Sequence, residues 1–596
     1  MLLGVFLTLL SITAFTVRES DDFTDANVLS RFANKAELAE FLMKDGAIPG
    51  DEAYSLSPEW ANDVRVDLGA GVPYSQTNVQ VTGVDEDDFV KTDGECIYVA
   101  SGDAVSILRA YPAQDMQEIA SISMADLLGG ANSTYIYSNG IFVSGDRLVV
   151  IASIYVSYSW TDGYAQDAST VMVDCTRTMV AVFDVSDPTL PELDFSVGIS
   201  GYVLTCRMIE DTVYAITQAN AMYSDEKVIV PTIYSATESS EVEVSTIRYD
   251  PETPQATSYV NILAVDLNDG DYSSLSVLAG WASTIYASSD SLYLTVQKWT
   301  GPVIMIDDEL TPEEPDKATT SIYRIVLDRT RMSPAAKGEV TGWLLNQFSM
   351  DEHESFLRVA TTTDWANPEN AIYVLDDALD VVGSLEGLAP DERIYSARFL
   401  GDKLYLVTFR QMDPLFVIDL TSPKEPEVIG MLEVPGFSTY LHPIDDTHVL
   451  GIGQENWTVK ISLYDVSDPS NPVEQSKYLL EDSSWSLALY DHKAVLYDAD
   501  RELLVIPGYT QGNDYYTYYA VPSAFVFEVS VSEGISLRGI ITHELDDSWG
   551  SGYIERALYI GECLYTVSRH AVQANMLDDL TYVKLVEFAD TSYYSR

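Results

Sequence analysis

One stretch of this sequence comes back three times. VFDVSDPTLPEL (Val182 to Leu193), VIDLTSPKEPEV (Val417 to Val428) and LYDVSDPSNPVE (Leu463 to Glu474) each carry a strand-like run ending in Asp, then Ser or Thr, and two prolines three residues apart. Asp and Ser side chains hydrogen-bond the backbone of a turn, and proline fixes φ while giving up a donor that no ladder needs there. Each copy reads as strand, stiff turn, strand.

A second unit recurs alongside it. IYSARFLGDKLYLVT (Ile394 to Thr408), YVLTCRMIEDTVYAIT (Tyr202 to Thr217) and YIERALYIGECLYTVS (Tyr553 to Ser568), with a looser copy at Ser283 to Val296, are paired strands around a tight Gly/Asp-type turn, the mark of a hairpin. Hairpin plus strand, turn and strand makes a four-stranded antiparallel sheet of about 50 to 65 residues, the period of a propeller blade. Such a sheet cannot bury both faces alone, so copies must stack. Third strands fall at Val105 to Ala110, Val180 to Val185, Ile262 to Leu267, Ile322 to Leu327, Ala371 to Asp376, Leu415 to Leu420, Ile461 to Val466 and Ala524 to Val529. The expected fold is all-β, a beta-propeller of about eight blades with seven or nine open, a further partial unit lying at Tyr553 to Phe588. Closure is expected where the two chain ends share or abut in one blade. The Ser-, Thr- and Glu-rich stretch from Ser224 to Tyr259 reads as an insertion in one blade.

The region before the repeats differs. An apolar run from Leu2 to Val17 is too short for a comfortable transmembrane helix, which needs about 20 apolar residues, and fits a signal-peptide core or short anchor over residues 1–18. No basic residue precedes it and no clear small-x-small cleavage site follows. Residues 19–77 form an N-terminal segment with one short helix over roughly 35 to 44: Asn34 as N-cap, Leu38, Phe41 and Leu42 on one face, Gly46 as stop. Residues 78–596 are then the propeller domain.

Several long motifs carry a resemblance. NVQVTGVDEDDFVKTDGECIYVAS (Asn78 to Ser101), ESFLRVATTT (Glu354 to Thr363), Glu392 to Leu420, FSTYLHPIDDTHVLGIG (Phe437 to Gly453) and SLALYDHKAVLYD (Ser486 to Asp498) closely resemble the archaeal and bacterial secreted proteins with a C-terminal beta-propeller domain, distantly similar to WD40 repeats. The resemblance covers nearly everything from Asn78 onward. It implies a secreted or surface-tethered propeller and implies no activity.

Charge bounds the partners. With 92 acidic against 33 basic residues the net charge is -59, which repels phosphate backbones and anionic lipid heads. Nucleic acid is therefore excluded as an expected partner, and contact with a membrane is left to the N-terminal segment alone. Such a surface suits a salty exterior, where screening is short-ranged.

The densest carboxylate cluster is Asp85, Glu86, Asp87 and Asp88 with Asp93, an oxygen-rich set of the kind that takes calcium, although neighbouring strand residues point to opposite faces. His442, in Tyr-Leu-His-Pro, and His492, in Tyr-Asp-His-Lys, lie in neighbouring units and could face the channel as a transition-metal pair; the plainer reading is two core histidines. Cys96, Cys175, Cys206 and Cys563 lack metal or redox spacing; Cys175 and Cys206 flank one unit and could pair in an exported chain, and otherwise all four are buried thiols. Asn132-Ser133-Thr134 and Asn456-Trp457-Thr458 are acceptor sequons. The chain has 38 Tyr and 9 Trp, enough for a carbohydrate platform, although Tyr is also a favoured strand residue.

No catalytic signature accompanies the fold. A propeller-capped serine peptidase needs Gly-x-Ser-x-Gly in an added α/β domain, a quinone-dependent dehydrogenase needs adjacent cysteines, and a sialidase-like site needs repeated Ser-x-Asp-x-Gly-x-x-Trp turns; the sequence has none of these. The expected role is a binding or scaffold module outside the cell or at its surface, meeting a protein, glycan or cation through rim loops. The competing role is an extracellular hydrolase or quinone-type oxidoreductase with its site at the central channel.

Overall fold

The computed structural model describes residues 28–44, 72–124, 134–160, 171–174, 176–221, 223–224, 227–235, 238–253, 256–298, 318–363, 367–409, 413–480, 484–514, 517–543 and 552–588. The apolar run over residues 1–18, Cys175 and the Asn132-Ser133 pair lie outside them.

The chain is a beta-propeller of antiparallel blades. Among the described residues nine sheets of four or more strands form the ring, here blades 1 to 9: residues 90–123, 134–200, 202–279, 282–341, 350–388, 393–434, 437–479, 485–541 and 554–587. All eight expected third strands are third strands of blades 1 to 8. The unit at Tyr553 to Phe588 is a complete ninth sheet, with strands Ile554–Ile560, Cys563–Ser568, Ala571–Met576 and Tyr582–Glu587.

Each blade runs outward from the channel in chain order, so the repeated hairpins supply the two inner strands and the proline turns join the two outer ones. The turns close as their residues dictate. Asp184, Asp419 and Asp465 each accept a hydrogen bond from the backbone N–H two residues on, at 2.8 to 3.0 Å.

The core lies between blades, not inside them. Tyr286, Tyr293 and Ile322 of blade 4 pack on Leu357, Val359 and Tyr373 of blade 5, and comparable apolar layers join every neighbouring pair. The ring closes in the same way, with Leu558, Tyr565 and Val572 of blade 9 against Ile97, Val105 and Ile107 of blade 1. Among the described residues the two chain ends do not share one blade's four strands but abut at blade 9, where Tyr74 bridges Ile560. Apolar packing of blade 9 on blade 1 supplies the closure, and Tyr74 and Ser75 add a strap, with Ser75 N–H donating to Tyr559 O at 3.0 Å.

Helix α1 (Lys35–Lys44) is capped as its sequence predicts, Asn34 Oδ1 accepting from the N–H groups of Ala36 and Glu37 at 2.9 and 3.2 Å. Its apolar face joins a cluster at the outer side of blade 3 that includes Tyr259 and Leu278. Leu38 and Leu42 pack with Phe32 on the blade 3 insertion, against Val230, Val242 and Ile247. That insertion, between strands Thr212–Asn220 and Ser258–Asp266, also lends outer strands to blades 2 and 3. Among the described residues no helix is long and apolar enough to cross a membrane.

Candidate functional site: a channel floored by its own chain

Residues 74–89 run through the channel instead of joining a blade of their own. The path starts at Tyr74, bridged to Ile560, and crosses to blades 7 and 8, where Asn78 Nδ2 donates to His492 O at 3.0 Å and to Tyr440 Oη at 3.3 Å. Gln80 Nε2 then donates to Gln347 O and Met350 O beside blade 5, at 3.1 and 3.2 Å. Finally Val84–Glu86 pairs antiparallel with Ile209–Arg207 on the innermost strand of blade 3. A wide ring leaves a hole that side chains alone fill poorly, and this segment fills it with hydrogen-bonded backbone.

The acidic run Asp85 to Asp88 lies on this segment, and its carboxylates diverge. Lys91 Nζ sits 2.7 Å from Asp85 Oδ1. Glu86 Oε1 accepts from Gln347 Nε2 and from Gln80 N–H. Asp87 Oδ1 accepts from Cys206 N–H at 3.2 Å, the rest of its carboxyl seated where a side chain on Gly140 would stand. Asp88 Oδ2 accepts from Arg556 Nε at 2.8 Å, and Arg556 Nη2 reaches Asp491 Oδ2 at 2.6 Å. Asp93 is apart from all of these, at the hairpin turn, taking hydrogen bonds from Cys96 N–H and Tyr98 Oη. Among the described residues no group of three or more His, Cys, Asp or Glu is arranged to hold a metal ion. The calcium set is therefore not brought to one point, because alternation along the strand sends successive carboxylates to different partners.

The two histidines are buried, His442 against Tyr497 of blade 8 and His492 against Phe348. His442 Nδ1 is 3.2 Å from Tyr440 Oη, and burial, aided by the Arg398 charge, pushes its pKa down to about 3. His492, fully buried with its ring edge-on to Phe348, is held well below the usual histidine range by burial and by Lys493, Arg556, Arg207 and Arg398. With that ring neutral, the 3.8 Å from His492 Nε2 to Glu86 Oε2 is not an ion pair. Cys96, Cys206 and Cys563 are buried free thiols.

A cleft of about 340 Å³ lies over this segment, at the first residues of the innermost strands. Val203–Thr205 of blade 3, Ala282–Ile285 of blade 4 and Arg556 of blade 9 line it, with Asp491, Lys493 and Asn139 from blades 8 and 2, and Glu86–Phe89 beneath. Burial alone would raise the Asp88 pKa, but Arg556, Lys493 and Lys91 outweigh it and hold the carboxyl below its ordinary value. Lys493 and Arg556 move the opposite way: burial opposes their charge, and Asp88 and Asp491, with Asp87 beside Lys493, raise them. The floor is a set of fixed charges.

A family match decides what this chain is: the description "Beta propeller domain" fits residues 74–580, from the channel segment to the last blade. The chain belongs to the beta propeller domain family. A protein of Archaeoglobus fulgidus described as uncharacterized is 28% identical, with 96% of each chain covered. Another uncharacterized protein, from Methanocaldococcus jannaschii, is 29% identical over 86% of this chain and 83% of its own. Among solved structures, the periplasmic gluconolactonase of Pseudomonas aeruginosa is similar at 10% identity and a TM-score of 0.33, covering 55% of this chain and 91% of its own.

Sequence reasoning missed the cations that hold the floor. Their signal was present: Lys91, Arg207 and Arg398 each stand three residues before the turn residue of an innermost hairpin, and Arg556 stands five before, on the same face of the strand.

Proposed function

We propose that the protein is a binding propeller acting outside the cell or at its surface, which takes a small polar ligand into the cleft and does not transform it. The fixed ionisation of the floor carries this reading. General acid–base chemistry needs a group poised near the working pH, whereas here Asp88 is pushed down, Lys493 and Arg556 are pushed up, and His492 is kept neutral. Groups fixed in that way are suited to orienting a ligand. The apolar run from Leu2 to Val17 and the net charge of -59 support a place outside the cell.

A second reading has one observation in its favour. Asp88, Asp491 and His492 cluster beneath a cleft with room for a substrate, which is what a hydrolase or quinone-type oxidoreductase sited at the channel would need. Thermal unfolding of the purified chain against small polar ligands, repeated with Thr205→Arg to fill the cleft, separates the two. Stabilisation by a ligand recovered unchanged, and lost in the variant, supports binding. Conversion of a ligand that stops in Asp491→Asn would overturn it.

A further inference from the structure

Three features of the rim and lining narrow the chemistry of the polar ligand that the cleft would take. Aromatic rings stand on both sides. Tyr202 and Trp281, each one residue from a lining segment, have ring centroids 6.4 Å apart, and Trp281 is 43% exposed. Across blades 8 and 9 runs a ladder, Tyr490, Trp485, Tyr509 and Tyr553, with successive centroids at 6.1, 5.3 and 6.2 Å. Both ends of the ladder are open, Tyr490 at 50% and Tyr553 at 39% exposure, and Tyr490 immediately precedes the lining residue Asp491.

The lining is rich in groups with hydrogen-bonding capacity to spare. Asn139 Oδ1 accepts from Ser153 Oγ, which leaves its amide N–H groups for a ligand. The carboxylates of Asp88 and Asp491 each use one oxygen on Arg556 and one on a backbone N–H, so further lone pairs remain. At the wall, the Thr205 hydroxyl accepts from Arg207 and keeps its O–H to donate, and the Ser283 hydroxyl, which donates to Thr295, keeps an acceptor lone pair.

The charges also nearly cancel. Four carboxylates line the cleft (Glu86, Asp87, Asp88, Asp491) against three cations (Lys493, Arg556, Arg569), while the molecule as a whole carries -59. An anion is repelled at long range and meets no net positive charge on arrival; a cation finds every carboxylate of the Arg556 pair already engaged.

Resting on the reading of the cleft as a binding site, we infer that its ligand is a neutral saccharide. A pyranose offers an apolar C–H face to an aromatic ring and a belt of hydroxyls that donate to carboxylates and accept from amide, guanidinium and ammonium groups. A cleft of about 340 Å³ is near the small end of ligand sites, roughly 300 to 1,000 Å³, so the end of a glycan chain enters it while further rings lie along the Tyr490–Tyr553 ladder.

The test is tryptophan fluorescence and calorimetric titration of the full chain with neutral mono- and oligosaccharides, with uronic acids and free amino acids as charged comparators. Expected is saturable binding of a neutral saccharide, insensitive to NaCl between about 0.1 M and about 1 M, and weakened about tenfold by Trp281→Ala and by Tyr490→Ala. Trp457→Ala, which removes an exposed tryptophan in a hairpin turn of blade 7, serves as the folded control and leaves it unchanged. Cleft binding confined to uronates or amino acids overturns the saccharide inference and leaves the binding reading standing. No binding by any of the three classes, with Trp281 fluorescence unmoved, overturns both.

Discussion

At the scale of single residues, Arg556 is the side chain on which most of the channel depends. Its guanidinium is shared between Asp88 at 2.8 Å and Asp491 at 2.6 Å, and all three groups are buried. Replacing it by Met leaves two buried carboxylates without their cation, and loss of one member of such a network costs about 3 to 5 kcal/mol. Denaturant unfolding of Arg556→Met is expected to show a loss of that order, and Asp88→Asn in the same background to recover part of it, since the orphaned charge is then removed. His442 sets an acid limit of another kind. Folded, its pKa is pushed down to about 3, whereas in the unfolded chain it titrates near 6.5. The unfolded state therefore takes up a proton first as pH falls, and stability drains away from about pH 6.5 downward, by about 2 kcal/mol at pH 5 from this one group. His442→Gln, measured by denaturant unfolding at both pH values, is expected to show a shallower loss. Little of this was legible beforehand. Asp85 to Asp88 stand out as a run of carboxylates, but Arg556 lies 468 residues from Asp88, and a partner at that distance is visible only once the ring has closed.

At the scale of elements, the repeated proline turn is also a joint between blades. Gly430, on the outermost strand of blade 6, has no room for a side chain, because a Cβ there would stand 2.0 Å from Pro469 O in the turn of blade 7. Gly383 of blade 5 meets Pro423 O of the blade 6 turn in the same way, at 2.2 Å. Each turn thus rests on bare backbone of the blade before it, and its stiffness matters because a floppy loop would lose entropy on docking. Gly430→Val forces two backbones apart, and overpacking of that kind costs about 1 to 3 kcal/mol. Its melting temperature is expected to fall by several degrees, while Val428→Thr, on an exposed position of the same strand, is expected to be near neutral. Unlike the floor, the blades were readable from the sequence. Asp184, Asp419 and Asp465 close their turns as their spacing implies, and Asn34 caps helix α1 as expected. Local chemistry decides turns and caps, so local sequence reveals them. The course of residues 74–89 was not readable, because a segment that touches blades 9, 8, 7, 5 and 3 in turn has no period of its own.

At the scale of the molecule, the segregation of charge ties fold to environment. Cations are scarce, 33 in 596 residues, and Lys91, Arg207, Arg398, Lys493 and Arg556 are gathered around the channel, where they neutralise the inserted acidic segment. The outer surface is left with the excess negative charge. Repulsion there works against the compact state and is relieved by any dissolved cation, over a screening length of about 10 Å at 0.1 M salt and about 3 Å at 1 M. Inside, the carboxylates of Asp85 and Asp88 are already held by Lys91 and Arg556, so a divalent ion would have to displace a tethered ammonium or guanidinium to reach them. Salt is therefore expected to stabilise the protein by screening alone. In thermal unfolding from a low-salt buffer, CaCl2 and NaCl at matched ionic strength should raise the melting temperature equally, and Asp85→Asn should leave the difference between them at zero. An extra rise with calcium that vanishes in Asp85→Asn would show that the channel segment opens to take the ion. The floor of the cleft would then be a movable part, and ligand affinity would fall with calcium in proportion to that opening.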